Sequence, residues 1–231
     1  MPFSKIKAIA FDADDTLWVN ETLFRSAEKE FCVLMQDYLA EDKCNELLFE
    51  VEMQNLPIYG YGIKPFTLSL IEAAIRFSDG KVPITAINEL IHRGKEMLEA
   101  PVKLLDGVEE TLKALAKDYR LVMATKGDLL DQERKLIKSG LERYFHHIEI
   151  VSDKTEKQYQ KLVNHLDVKT EEFLMIGNSL KSDILPVLGI GAHAFHIPFH
   201  TTWIHEQVKE PVVHENFREL KSARDILSYL D

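Results

Sequence analysis

The chain has 231 residues, of which 45% are hydrophobic and 29% charged, with a formal net charge of -10. That length suits one domain carrying a large insertion, or two small domains, and the apolar content is enough to bury a core, which excludes a disordered chain. The acidic balance repels polyphosphate backbones, so no nucleic acid is expected as partner, while small phosphorylated metabolites stay open because a local cation and a few basic groups can govern a site.

Residues 6–11 form a short apolar run that ends in an acidic cluster, which predicts a buried strand with polar groups at its C-terminal end. From about Glu21 to Glu99 the pattern changes to helical spacing. Phe24, Ala27, Phe31, Leu34, Met35 and Tyr38 predict a first helix. Leu47, Leu48 and Val51 predict a second; Phe66, Leu70, Ala73, Ala74 and Phe77 a third; Ile87, Leu90, Ile91 and Met97 a fourth. Asn55-Leu56-Pro57, Tyr59-Gly60-Tyr61-Gly62 and Asp79-Gly80-Lys81 between them read as turns. Pro101 to Gly107 reads as a linker, after which the pattern alternates. Helices are predicted over 108–116, 132–140, 155–166, 180–188 and 217–230. Strands are predicted over 119–125, 148–151, 173–176 and 192–197. Thr155 and Gln158 match a capping box.

Alternation of this kind implies an α/β fold: a Rossmann-like parallel sheet with helices on both faces, and an inserted α-helical cap domain. The expected division is a core of residues 1–18 and 101–231 and a cap of residues 19–100. Ligands of such sheets sit beyond the C-terminal strand ends. Asp12, Asp14, Thr125, Lys154, Asn178 and Asp183 recur at those ends. The two cysteines, Cys32 and Cys44, offer neither ligand pairing nor a disulfide framework, so free thiols in a reducing compartment are expected. The N-terminal residues lack a signal-peptide stretch, and no run reaches the ~18 apolar residues of a membrane span. A soluble cytoplasmic protein is the expectation.

Asp12, Asp14 and Asp15 place three carboxylates within four positions. Such a cluster needs compensation, typically by a divalent cation with oxygen ligands. In an extended chain Asp12 and Asp14 would face one cavity, where one attacks and the other handles a proton. An acidic loop or helix cap is the alternative that local spacing alone leaves open.

The segment Phe11-Asp12-Ala13-Asp14-Asp15-Thr16-Leu17 after an apolar strand resembles the first motif of the haloacid dehalogenase-like hydrolase superfamily. The resemblance implies a Mg2+-dependent phosphatase acting on a small phosphorylated substrate. Asp12 would be the nucleophile that forms an aspartyl-phosphate, and Asp14 the acid for the leaving group and then the base for water. The backbone carbonyl of Asp14 would also hold magnesium, and Thr16 would hold the loop. Thr125, followed by Lys126 and Gly127, stands where the family closes its second strand on a phosphoryl-binding hydroxyl. Lys154 or Lys157 would supply the lysine that neutralises the phosphate, Lys154 being preferred, although the family's frequent Lys-Pro pair is missing. Gly177-Asn178, with Asp183 five positions later, matches the fourth motif except that Asn replaces its Asp. The implied metal ligands are Asp12, Asp14, Asn178 and Asp183. An amide oxygen can ligate a hard cation without adding charge; a turn or cap role for Asn178 is the other reading.

Within the superfamily a phosphomutase or a dehalogenase is the alternative activity, and Asp14 argues against dehalogenation. A binding module on a retained scaffold is the alternative of another class, fed by Asn178. His193, His196, His200 and His205 lack zinc-type spacing and read as structural or surface histidines. Tyr61 and Lys64 are candidate substrate selectors in a loop that also reads as a plain inter-helix turn. The substrate and the oligomeric state are not legible.

Overall fold

The computed structural model describes residues 3–230. These residues group into two compact units, one of residues 3–21, 102–126 and 132–230, the other of residues 22–101 and 127–131.

The larger unit is a six-stranded sheet in the order β3-β2-β1-β4-β5-β6, every pairing parallel. Strand β1 is Ala8–Phe11, fully buried, and lies centrally because a strand covered on both faces must be apolar throughout. The inserted unit follows with four helices, α1 Glu21–Leu34, α2 Glu41–Tyr59, α3 Ile63–Phe77 and α4 Ile84–Glu99. The chain then alternates through α5 Val108–Leu115, β2 Arg120–Lys126, α6 Leu129–Ser139, β3 His147–Val151, α7 Glu156–His165 and β4 Phe173–Gly177. A π-helical turn, Leu180–Ile184, runs into α8, Leu185–Gly189. Strands β5 His193–His196 and β6 Phe217–Glu219 and the short helix α9 Leu227–Leu230 complete the unit.

Two apolar clusters sandwich the sheet. Ile9, Phe11, Leu112, Leu121, Met123, Ile176 and Phe195 fill one face; Ala8, Ala10, Val122, Tyr159, Leu162, Met175 and Val187 fill the other. Neighbouring residues of one strand thus alternate between the two clusters, as strand geometry requires. The register sets Phe11 level with Met123 and Ile176, so the chain leaves β1 for the acidic loop between the ends of β2 and β4.

The inserted unit has its own core, built on Phe31, Met35, Leu48, Leu70, Ala73, Leu90 and Met97. Gly94 inside α4 has a packing reason, since a Cβ there would stand 2.3 Å from Thr67 Oγ1. The close approach of α3 and α4 offsets the roughly 1 kcal/mol that glycine costs a helix interior.

Four expectations are corrected. Cys32 and Cys44 are not free thiols: their Sγ atoms are joined, with Cα atoms 5.7 Å apart, a normal disulfide span. The step from free thiols to a reducing compartment falls with that. Asn55-Leu56-Pro57 is not a turn but lies inside α2. Asn55 Nδ2 donates to Ser69 Oγ and Glu72 Oε2 of α3, which pins α2 to α3 beside Pro57. Residues 217–230 are not one helix: Phe217–Glu219 pair with β5, and only Leu227–Leu230 are α-helical. Residues 180–184 form a π turn, not an α-helix. No helix among the described residues is long and apolar enough to cross a membrane.

Candidate active site

Four strand ends of the larger unit carry the polar groups. Asp12 follows β1, its N–H donating to the Ile176 carbonyl oxygen at 2.9 Å, which locks the start of the loop to β4. The chain then turns on Asp15, at φ 61°. Asp15 accepts the N–H groups of Asn20 and Glu21 at 2.8 and 2.9 Å, so it caps the start of α1. Burial pushes its carboxyl up to about 7 against those hydrogen bonds. The acidic-loop reading therefore holds for Asp15, while Asp12 and Asp14 are engaged elsewhere.

Asp12 is buried and sits at the centre. Lys154 Nζ donates to its Oδ1, and Thr16 Oγ1 donates to its Oδ2 at 3.3 Å. Lys154 also donates to Asp183 Oδ1 at 2.6 Å. The second Asp183 oxygen accepts the Ser179 N–H at 3.0 Å. Asp183 leans so closely on the strand end that a Cβ on Gly177 would fall 2.2 Å from its Oδ2. Asp183 lies within the π turn, its N–H donating to the Ser179 carbonyl oxygen at 2.9 Å. Burial drives the Asp12 carboxyl up, Lys154 opposes it and Asp183 adds to it, leaving it at about 7. Burial alone would lower the Lys154 ammonium, but Asp12 and then Asp183 hold it above its ordinary value. Lys157 is exposed, so Lys154 is the lysine that reaches Asp12.

Asn178 lies beside the same carboxylate. Its amide suits its surroundings best with the nitrogen inward, 3.3 Å from each of Asp12 Oδ2, Thr16 Oγ1 and the Asp14 carbonyl oxygen. His196 Nε2 meets the Asn178 carbonyl oxygen at 3.0 Å and secures the turn.

Thr125 is buried at the end of β2, its hydroxyl 3.4 Å from the Lys126 carbonyl oxygen. Gly127 follows at φ 136°, a left-handed conformation that favours glycine. Lys126 Nζ donates to Glu206 Oε1 at 2.5 Å and to Ser182 Oγ at 2.9 Å. Lys64 is paired with Asp128 at 2.8 Å.

Several partners were not legible as site residues: Trp18, Gln132 and Lys135 around Asp14, and Glu206 with Ser179 and Ser182. Glu206 comes from a short 3₁₀ turn, Ile204–Glu206, and is buried. Burial alone would raise its carboxyl, but Lys126 and hydrogen bonds from Lys126, Ser179 and Ser182 outweigh that and hold it at about 2. A carboxyl depressed below its usual value of 4.5 stabilises the fold above that pH and loses the contribution as pH falls towards 2. Glu206→Gln is accordingly expected to lower stability by about 2 kcal/mol at pH 7. The gap to the parent protein should shrink as pH falls below about 4.5 and close only towards pH 2, as read by urea unfolding at stepped pH.

The comparisons agree with this geometry. The family model described as haloacid dehalogenase-like hydrolase matches residues 6–191. The N-acylneuraminate-9-phosphatase of Mus musculus is 26% identical over 223 residues, covering 92% of this chain and 88% of its own. The glyceraldehyde 3-phosphate phosphatase of Methanothermobacter thermautotrophicus is 26% identical over 199 residues, covering 82% and 84%. The crystal structure of a haloacid dehalogenase-like family hydrolase from Xanthomonas campestris superposes with a TM-score of 0.87 at 37% identity, over 97% of this chain and 90% of that one. With a core, a loop and a buried Asp-Lys-Asp cluster of this kind, the chain belongs to the haloacid dehalogenase-like hydrolases.

Proposed function

We propose that the protein is a magnesium-dependent phosphatase that hydrolyses a small phosphorylated metabolite through an aspartyl-phosphate on Asp12. The observation that carries this reading is the placement of Asp12. One oxygen meets the Lys154 ammonium, and the other faces Thr16 and Asn178. Two relatives of similar length are named as phosphatases of small metabolites, which supports the same reaction class.

In the first half-reaction an Asp12 oxygen bonds to phosphorus while the bond from phosphorus to the leaving oxygen breaks. The proton on Asp14 passes to that leaving oxygen. In the second half a water oxygen bonds to phosphorus, the bond from phosphorus to the Asp12 oxygen breaks, and the water proton passes to Asp14. Lys154 keeps positive charge beside the phosphoryl oxygens, where a transition state of spread negative charge is stabilised by fixed positive groups. The Thr125 hydroxyl and the N–H groups after it would hold the phosphoryl group.

The donor set fits a hard cation. Asp12 Oδ2 and the Asp14 carbonyl oxygen each lie 3.3 Å from the Asn178 amide nitrogen. An amide there can turn its nitrogen to the two oxygens or, with a cation present, its own oxygen to the cation. Bound magnesium would offset the repulsion between Asp12 and the phosphate. Asp183 belongs to Lys154 and Ser179 in this reading, which leaves Asp12, Asp14 and Asn178 as the direct ligands.

Acid quenching of the enzyme with a phosphate monoester should leave one phosphoryl group on the peptide holding Asp12, found by mass spectrometry. Finding no phosphoryl group there, together with turnover unchanged in Asp12→Asn, would sink the reading. Asn178→Asp adds a charge to the ligand set and is expected to tighten magnesium binding about tenfold, measured by calorimetry.

A further inference from the structure

We propose that Gln132 and Lys135, three residues apart on α6, are positioning residues that aim the Asp14 carboxyl group at the leaving-group oxygen, with the proton carried on Oδ2, which accepts one hydrogen bond against two at Oδ1. The proposal rests on the phosphatase reading above and adds to it the residues that make Asp14 effective.

Asp14 is held on both oxygens. Its Oδ1 accepts from Lys135 Nζ at 2.6 Å and from Trp18 Nε1 at 2.8 Å. Its Oδ2 accepts from Gln132 Nε2 at 2.8 Å. The three donors come from two directions, Trp18 from the acidic loop itself and the other two from α6. Residues at i and i+3 share a helix face, so one face of α6 delivers both contacts.

Gln132 does more than fill space. Its Nε2 also donates to the Lys126 carbonyl oxygen at 3.0 Å, so one amide ties Asp14 to the end of β2, next to Thr125. Gln132 is 2% exposed, and its Oε1 has no hydrogen-bond partner among the described residues. A buried acceptor left unpaired is costly. An apolar residue of the same size would avoid that cost, so the amide earns its place through its nitrogen, which faces Asp14. Lys135 is likewise sunk, with 13% of its side chain exposed against 24% for Asp14. Asp14 is thus the more open member of the pair, fixed from behind and reachable in front.

A general acid must stand within hydrogen-bond reach of the oxygen it protonates, and a misplacement of about 1 Å can cost as much as 10²-fold. Holding both oxygens of Asp14 removes its rotation. The benefit should scale with how badly the departing oxygen needs a proton. A dinitrophenolate leaves unaided, whereas an alkoxide does not.

The experiment measures kcat and KM for dinitrophenyl, nitrophenyl, phenyl and primary alkyl phosphates. The variants are Lys135→Met, Gln132→Leu and, as reference, Asp14→Asn. Asp14→Asn is expected to lose about 10²–10⁴-fold in kcat on the alkyl ester and little on the dinitrophenyl ester. Lys135→Met and Gln132→Leu should copy that slope with losses of about 10–100-fold on the alkyl ester, with KM within about threefold. Lys135→Arg should recover most of the alkyl activity. If Lys135→Met does not fold, Lys135→Gln takes its place. Equal losses across all leaving groups, with Asp14→Asn still selective, would overturn the proposal and leave the phosphatase reading standing. A flat profile for Asp14→Asn would instead remove the acid role of Asp14, and the proposal with it.

Discussion

Lys154→Met is expected to lose about 10³-fold in turnover of a phosphate monoester and about 3–5 kcal/mol in stability at pH 7. The stability loss follows from what remains behind. Lys154 is the buried cation between Asp12 and Asp183, and both carboxylates are almost wholly enclosed. Replacing the buried pair by apolar groups would be one matter; removing the cation alone leaves two enclosed carboxylates facing each other. The sign with pH can be worked out from the two groups that shift. The Lys154 ammonium is held above its ordinary value, so its contribution is complete below about pH 10.5 and is lost only above it. Asp12 is already raised to about 7, and losing Lys154, which lowers it, raises it further. An acid raised on folding favours the folded state in its protonated form, so the variant should lose stability as pH rises and approach the parent towards pH 4. Thermal unfolding at stepped pH reads the gap. A constant gap from pH 4 to 8 would mean that Lys154 acts by packing alone.

The parts of this molecule that local sequence made legible are those whose cause is local. The apolar run before Asp12 could only be a covered strand, and Thr155 does cap α7 by accepting the Gln158 N–H at 3.3 Å. Order along the chain brought Thr125, Lys154, Asn178 and Asp183 to the strand ends. The remainder has causes far away in the chain. Glu206 is 80 residues from Lys126, and Lys135 is 121 residues from Asp14. No spacing rule connects such pairs; only the assembled fold does. Phe217–Glu219 becomes a strand because β5 offers an open edge, a preference three residues cannot express alone. Pro57 should break α2 on propensity, yet tertiary contacts through Asn55 hold it. Cys32 and Cys44 lie 12 residues apart on separate helices, and their pairing depends on how α1 and α2 pack.

Asp12→Asn is expected to abolish turnover, with a loss of at least about 10⁴-fold, while leaving the metal-free protein less sensitive to alkaline pH. Activity goes because a carboxamide cannot form the aspartyl-phosphate. The effect on stability has the other sign. Burial raises Asp12 to about 7, so ionising it costs the folded state stability as pH rises from about 4 through 7. Asparagine has no such ionisation, so the variant should keep on the order of 2 kcal/mol that the parent loses over that interval. Asp15, raised to a similar value, titrates in both proteins, and because the Asp12 charge helps to raise it, its own shift lessens in the variant and adds to the difference in the same direction. Magnesium should then separate them further. A cation held by Asp12, the Asp14 carbonyl and Asn178 favours the ionised carboxylate, and binding to the folded state alone raises its melting temperature. Saturating magnesium should therefore restore the parent's stability at pH 8 and shift Asp12→Asn little. An equal shift in both proteins would place the cation elsewhere, and an unchanged pH profile in Asp12→Asn would mean that the charge of Asp12 is compensated by Lys154 without any metal.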